Sequence, residues 1–160
     1  MKTLCVALLV GVGALSGAPA LAQSMLSFSA GQIGVADELT EPQWYGVEWH
    51  GETLSWGGVV PGAGYHRAAC GATYVYADFR KYFWLSPNWA LTPHFGPGVF
   101  DDSDQVKLGH TIQFRSGIEL TYRMPNDIRI GLGISHLSNG SLGDLNPGTE
   151  AVDLTFSMPL

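Results

Sequence analysis

Charged side chains are scarce in this chain, and so are cysteines. Charged residues make up 14% of the sequence, whereas a soluble domain usually carries about 25%. Cys5 lies in the N-terminal apolar run, so removal of that run would leave Cys70 alone and exclude an intramolecular disulfide. Neither a cysteine pair nor a compact group of histidines has zinc-binding spacing, and we expect no metal and no other cofactor.

Basic residues are also few. The chain has 8 Lys and Arg against 14 Asp and Glu, a net charge of -6, which makes nucleic acid an unsuitable partner. A second long apolar run, a repeat of solenoid period and a low-complexity tract are all missing, and good helix formers never fill a helical window. What remains is rich in glycine and aromatic residues, and it predicts a single all-β domain.

The first 22 residues have the pattern of an export signal. Lys2 precedes an apolar run, which ends before the small-x-small sequence Ala20-Leu21-Ala22. The run is shorter than the roughly 20 residues that a spanning helix needs. We therefore expect residues 1–22 to be a signal peptide that is cleaved near Ala22. The mature domain, residues 23–160, would then have a net charge of about -7, because Lys2 is lost.

Alternating apolar and polar residues predict strands over 111–122, 128–135 and 151–160, and noisier segments before them bring the total to eight. Alternation alone does not say which face is inside, so a soluble barrel with an apolar lumen stays open. The low charge content and the Gly-, Ser- and Thr-rich polar face favour an eight-stranded antiparallel transmembrane β-barrel. Aromatic residues near strand ends fit its interfacial girdles: Trp44, Tyr45, Trp49, Tyr82, Trp84 and Trp89.

Two polar residues interrupt the apolar face of the strand that starts at Ile128. Its even-numbered positions are apolar, and the same parity continues to His136 and Ser138. On the last strand, Glu150 shares a face with the apolar residues that follow it. If the intervening loop is centred near Gly143, antiparallel pairing places His136 opposite Glu150, with Cβ atoms about 4.5–5.5 Å apart.

A base, a nucleophile and a carboxylate on one face have the order of a hydrolytic triad. Glu150 would fix the His136 tautomer, His136 would take the Ser138 proton, and Ser138 would attack an acyl carbonyl. The alternative is that His136 and Ser138 only mark the end of the apolar band, with Glu150 capping the loop. Geometry alone leaves these two interpretations even.

The motif His136-x-Ser138-Asn139, followed by Glu150 after this spacing, resembles that of the lipid A 3-O-deacylases of Gram-negative outer membranes, the PagL family. The resemblance covers essentially the whole mature chain. It implies an eight-stranded barrel with an active site on its outer wall. The implied substrate is lipid A in lipopolysaccharide, among the outer-membrane lipids, and the bond cleaved is the acyl ester at position 3. The resemblance also suggests a homodimer.

Three further residues carry over from the resemblance. It implies that Asn139 is needed for activity and that Asn146 serves the oxyanion, although both lie in dipeptides common in turns. Phe114 would form an apolar wall for an acyl chain, or would simply face lipid. Two features depart from the pattern: Ser141 stands where a glycine often donates its backbone N–H, and the chain lacks a terminal aromatic residue.

Two other functions remain open at this point. A non-enzymatic barrel with a structural or adhesive role would have the same strands, and the His-Ser-Glu group would then be incidental. An outer-membrane phospholipase would use the same nucleophile on a different ester. The sequence favours the lipid A deacylase over both.

Overall fold

The computed structural model describes residues 23–37, 39–40 and 42–160, and the strands in this part of the chain are all antiparallel. The predicted signal peptide, residues 1–22, lies outside the described residues. No helix within the described ranges is long and apolar enough to span a membrane. The strands are β1 (Met25–Ile33), β2 (Gln43–His50), β3 (Val60–Ala68), β4 (Thr73–Arg80), β5 (Phe83–Trp84), β6 (Trp89–Asp101), β7 (Ile112–Arg123), β8 (Arg129–Ser138) and β9 (Thr149–Pro159).

Eight of these strands close into a barrel. Neighbours in sequence pair from β1 to β4, β4 pairs with β6, pairing continues to β9, and β9 returns to β1. The two-residue β5 pairs only with the beginning of β6. Closure leaves no unpaired edge among the eight strands of the barrel, and it confirms the predicted eight-stranded antiparallel barrel.

Side-chain parity sorts the residues of each strand between lumen and outer wall. On β7, Ile118 and Leu120 are exposed, whereas Arg115 and Glu119 are buried. The same division holds around the barrel, where most of the exposed large side chains are apolar and charged residues fill the interior. A soluble barrel would have the opposite arrangement, so the polar lumen and apolar wall identify a transmembrane barrel.

Ion pairs and hydrogen bonds fill the lumen. Arg80 Nη2 lies 3.1 Å from Glu48 and 2.7 Å from Asp78. Arg115 donates to the Tyr76 hydroxyl at 2.7 Å and lies 3.9 Å from both Glu48 and Asp153. The cavity that remains between these groups has a volume of only about 10 Å³. Arg80 and Arg115 therefore each have carboxylates close enough to offset part of the desolvation of the guanidinium group.

The prediction of interfacial aromatics was wrong for Trp44 and Tyr82. The Tyr82 hydroxyl lies 3.5 Å from the buried His50, and the buried Arg129 lies over its ring. Trp49 and Trp89 are exposed near the end of the barrel where β1 begins and β9 ends, as a girdle requires. Trp44 instead is 2% exposed and stacks on His66 in the lumen, with ring centroids 5.1 Å apart. Its parity on β2 is that of the inward-facing residues, and parity overrides its position near the strand end.

The opposite mouth of the barrel is occupied by the β6–β7 loop, residues 102–111. Val106 and Leu108 are buried in an apolar cluster with side chains from the strands and with Leu137 of β8. Asp102 Oδ1 accepts a hydrogen bond from the Leu108 N–H at 3.1 Å. This loop brings the Leu108 backbone beside the β8–β9 loop, residues 139–148, where the candidate site lies.

Candidate active site on the outer wall

The three residues of the predicted triad lie at the mouth end of β8 and β9. His136 pairs directly with Glu150 across the two strands, as the loop spacing predicts. Ser138 follows on the same face of β8, and residues two apart on a strand are about 6.6–6.8 Å apart along its axis. The side chains therefore share the outer wall with Ile130, Leu132 and Ile134, the apolar row that faces lipid.

His136 and Glu150 form a hydrogen bond of 3.1 Å between Nδ1 and Oε1. Both side chains are a little under half exposed, at 46% and 42%. A carboxylate at Nδ1 favours the tautomer that carries its proton there, which leaves the Nε2 lone pair free to accept a proton. The pair can thus act as an oriented general base.

Ser138 is half-buried and directly opposite Phe114 of β7. The Phe114 ring stacks on Phe95 of β6, with centroids 6.0 Å apart and planes 3° from parallel. Together the two rings make an apolar wall beside the hydroxyl. Among the residues that the structure describes, Ser138 and His136 are not joined by a hydrogen bond.

The backbone at Gly148 passes close to the imidazole. A Cβ atom at this position would lie 2.8 Å from His136 Cε1 and 3.2 Å from Nε2, and the φ angle of +67° already favours glycine. Glycine therefore lets the loop lie against the ring edge. This contact limits where the imidazole can move.

Asn139 is 0% exposed and organises the β8–β9 loop. Its Nδ2 donates to the carbonyls of Leu108 (3.0 Å) and Leu145 (2.7 Å). Its Oδ1 accepts from the Ser141 N–H at 2.9 Å, and its backbone N–H donates to Asn146 Oδ1 at 2.9 Å. Two carbonyls at one end and an N–H at the other fix the orientation of the amide.

Asn146 and Ser141 differ from Asn139 in which of their hydrogen-bond donors are already paired within the loop. Asn146 is exposed, and its Nδ2 has no hydrogen-bond partner in the described part of the chain. Ser141 has a φ of +65°, a left-handed conformation that suits glycine and matches the departure noted in the sequence. Its N–H is already bonded to Asn139, so of these groups the Asn146 amide is the donor free for a ligand.

Sequence reasoning missed the supports behind these residues. The Glu150 carbonyl accepts hydrogen bonds from the N–H groups of Gly34 (2.7 Å) and Val35 (3.3 Å), the two residues that follow β1. These bonds fix the backbone of Glu150. Gln113 is 0% exposed, and its Nε2 donates at 3.4 Å to the Leu108 carbonyl that Asn139 also uses. A polar residue at a lumen position next to Phe114 was the available signal for Gln113.

The remaining histidines lie away from this group. His50, His66 and His94 are buried in the lumen, and His110 lies on the β6–β7 loop, where its Nδ1 accepts from the Ile112 N–H at 3.0 Å. Within residues 23–37, 39–40 and 42–160, no three His, Cys, Asp or Glu side chains are grouped so as to hold a metal ion.

Two comparisons match this chain to proteins described as lipid A deacylases. The family model described as lipid A 3-O-deacylase (PagL) matches residues 30–159. The lipid A deacylase PagL of Bordetella bronchiseptica is 30% identical over 77 residues, which are 47% of this chain and 43% of that protein, so the match spans less than half the relative's length.

Solved structures agree on the fold. The crystal structure of the outer membrane enzyme PagL aligns with a TM-score of 0.68 at 19% identity, over 85% of this chain and 99% of that one. A de novo designed transmembrane β-barrel aligns with a TM-score of 0.50 at 14% identity, over 86% of this chain and 95% of the design. At such low identity these matches concern the barrel and not its chemistry.

Proposed function

This chain belongs to the lipid A 3-O-deacylase (PagL) family, and from that membership we propose that it hydrolyses the ester-linked acyl chain at position 3 of lipid A. The observation that carries the proposal is the His136–Glu150 hydrogen bond, which lies beside Ser138 on a wall that faces lipid. Polar and ionisable groups are costly in lipid, so their presence on such a wall points to a function. Leader cleavage near Ala22, residence in the outer membrane and assembly as a homodimer belong to the same proposal.

Ser138 is the nucleophile in this mechanism. As its Oγ bonds to the acyl carbonyl carbon, His136 Nε2 takes the hydroxyl proton and Glu150 stabilises the imidazolium. The tetrahedral intermediate breaks its bond to the sugar oxygen, which takes the proton from His136. Water then attacks the acyl-serine with His136 as base, releasing the fatty acid and restoring Ser138.

The oxyanion is stabilised by Asn146, while Asn139 has a positioning role. The free Nδ2 of Asn146 can donate to the developing charge, whereas both hydrogens of the Asn139 Nδ2 are already donated to carbonyls. Asn139 acts by holding Asn146 and Ser141 in place, and it thereby sets the loop against Ser138. Replacement of Asn146 should therefore weaken oxyanion stabilisation, whereas replacement of Asn139 should disturb the loop.

Substrate reaches the site through the membrane. Phe114 and Phe95 flank Ser138 with apolar surface, and the row below it on β8 is exposed to lipid. An acyl chain can therefore stay in hydrocarbon while its ester lies at the level of the nucleophile. This placement favours a lipid ester over a water-soluble one.

Mass spectrometry of lipid A tests the function. Cells that express the chain should lose one ester-linked acyl chain from lipid A, and Ser138→Ala should abolish the loss while heat-modifiable mobility shows a folded barrel. Ser135→Ala is the matched control, because Ser135 is on the same strand but faces the lumen. Unchanged lipid A in cells with folded wild-type protein would sink the proposal. Fatty-acid release from phospholipid alone would instead indicate a phospholipase.

A further inference from the structure

Ser116 interrupts the lipid-facing row of β7. The residues before and after it on the same face are Phe114 and Ile118, with Ile112 and Leu120 beyond them. Ser116 is exposed in this row. Because apolar side chains continue on both sides, the hydroxyl lies within the apolar band of the wall and not at its polar edge.

The cross-strand neighbours of Ser116 place it in the row of the catalytic base. It pairs with His136 on β8 and with Phe95 on β6. Directly paired residues have Cβ atoms about 4.5–5.5 Å apart. His136 therefore has Glu150 on one side and the Ser116 hydroxyl on the other.

The Ser116 hydroxyl has no hydrogen-bond partner among the described residues. A hydroxyl in hydrocarbon without a partner is unfavourable, so polar groups at such positions are usually satisfied or functional. The proposed mechanism uses His136, Ser138 and Glu150 but gives Ser116 no role. Its partner has to come from outside the protein, and the molecule that occupies this wall during the reaction is the substrate.

We infer that Ser116 selects an acyl chain that carries a hydroxyl group a few bonds from the ester carbonyl, by exchanging a hydrogen bond with that hydroxyl. The inference rests on the proposed function, because it requires the ester to lie at Ser138. Ser116 and Ser138 are diagonal neighbours across β7 and β8, a relation in which residues are about 7–8 Å apart and their Cβ atoms somewhat closer. A chain that runs from the ester into the membrane passes Ser116 within its first few carbons.

A matched set of substitutions separates the effect of the hydroxyl group from the effect of side-chain size. Ser116→Ala removes the hydroxyl with little change in volume. Ser116→Thr and Ser116→Val have nearly the same shape, but only threonine keeps the hydroxyl. If a small side chain were the requirement, Thr and Val would behave alike and Ala would be neutral.

The experiment measures kcat/KM of folded protein in detergent on two synthetic glucosamine esters, one with a 3-hydroxyacyl chain and one with the same chain lacking the hydroxyl. We expect the wild type to prefer the hydroxylated ester, and Ser116→Ala and Ser116→Val to lower kcat/KM on it about 3- to 10-fold, the effect of one neutral hydrogen bond. Cleavage of the plain ester should change less than twofold, and Ser116→Thr should retain the preference.

Equal losses on both esters would overturn the inference, because the hydroxyl would then act through His136. Unchanged preference in Ser116→Ala would overturn it as well, while leaving the proposed function intact. If folded wild type cleaves neither ester nor lipid A, the proposed function fails and the inference fails with it. Heat-modifiable mobility of every variant separates these results from misfolding.

Discussion

Replacement of Asn139 by aspartate is the sharpest test of how the active-site loop is held. The substitution keeps the shape of the side chain but replaces the Nδ2 group by an oxygen. That oxygen would face the carbonyls of Leu108 and Leu145, which now accept hydrogen bonds at 3.0 and 2.7 Å. The Ser141 N–H could still bond to the remaining oxygen.

The expected cost follows from these contacts. Two lost hydrogen bonds are worth about 1–3 kcal/mol together. A carboxylate at a fully buried position, beside two carbonyl oxygens and without a cation, adds several kcal/mol. The loop would avoid this cost by opening, and a total above about 3 kcal/mol corresponds to a shift of more than 100-fold toward open forms.

Hydrogen exchange of residues 139–148 measures the opening of the loop, and the rate of lipid A deacylation measures its effect on activity. We expect Asn139→Asp to speed exchange in the loop and to lower kcat at least 100-fold, with the barrel still folded. Asp144→Asn is the control, because Asp144 is exposed in the same loop and should tolerate the change within twofold. Full activity with unchanged exchange would refute the reasoning. Lost activity with unchanged exchange would show that Asn139 contacts substrate directly.

Three further substitutions test other parts of the site and the fold. Gly148→Ala should lower kcat at least 10-fold in a folded barrel, because its Cβ would lie 2.8 Å from His136 Cε1; normal kinetics would contradict this contact. Ser141→Gly should raise stability by about 1 kcal/mol by relieving its left-handed φ, and a lower thermal midpoint would count against it. Arg115→Met should lower the urea midpoint by the equivalent of about 3–5 kcal/mol, since Glu48 and Asp153 lose a counter-charge; an unchanged midpoint would contradict the lumen network.

Much of the barrel could be predicted from local patterns because strand faces have a period of two. Ile130 and Ile134 mark the outer face of β8, and the same count carries His136 outward. The pairing of His136 with Glu150 needed only the length of one hairpin loop. Sequence parity also predicted Phe114 opposite or diagonal to His136, and in the structure it is diagonal to His136 and pairs with Ser138.

The supports of the site were beyond the reach of local patterns. Leu108 contacts Asn139 through a backbone carbonyl, which no side-chain pattern encodes, and the two residues are 31 positions apart. Gly34 reaches the Glu150 carbonyl only because the first and last strands pair when the barrel closes. Trp44 looked like an interfacial residue until its parity on β2 placed it inside. The contacts of Leu108 and Gly34 join segments that are distant in sequence, whereas the inward position of Trp44 follows from the local parity of β2.

The filled lumen matters for the permeability of the membrane that holds this protein. Arg80, Arg115 and their carboxylate partners occupy the centre of the barrel, and Val106 and Leu108 close one mouth. Solutes therefore have no continuous wide path through the interior, unlike the open channel of a porin. A cell could insert many copies of such a barrel without making the membrane leak, because the proposed chemistry takes place on the outside of the wall.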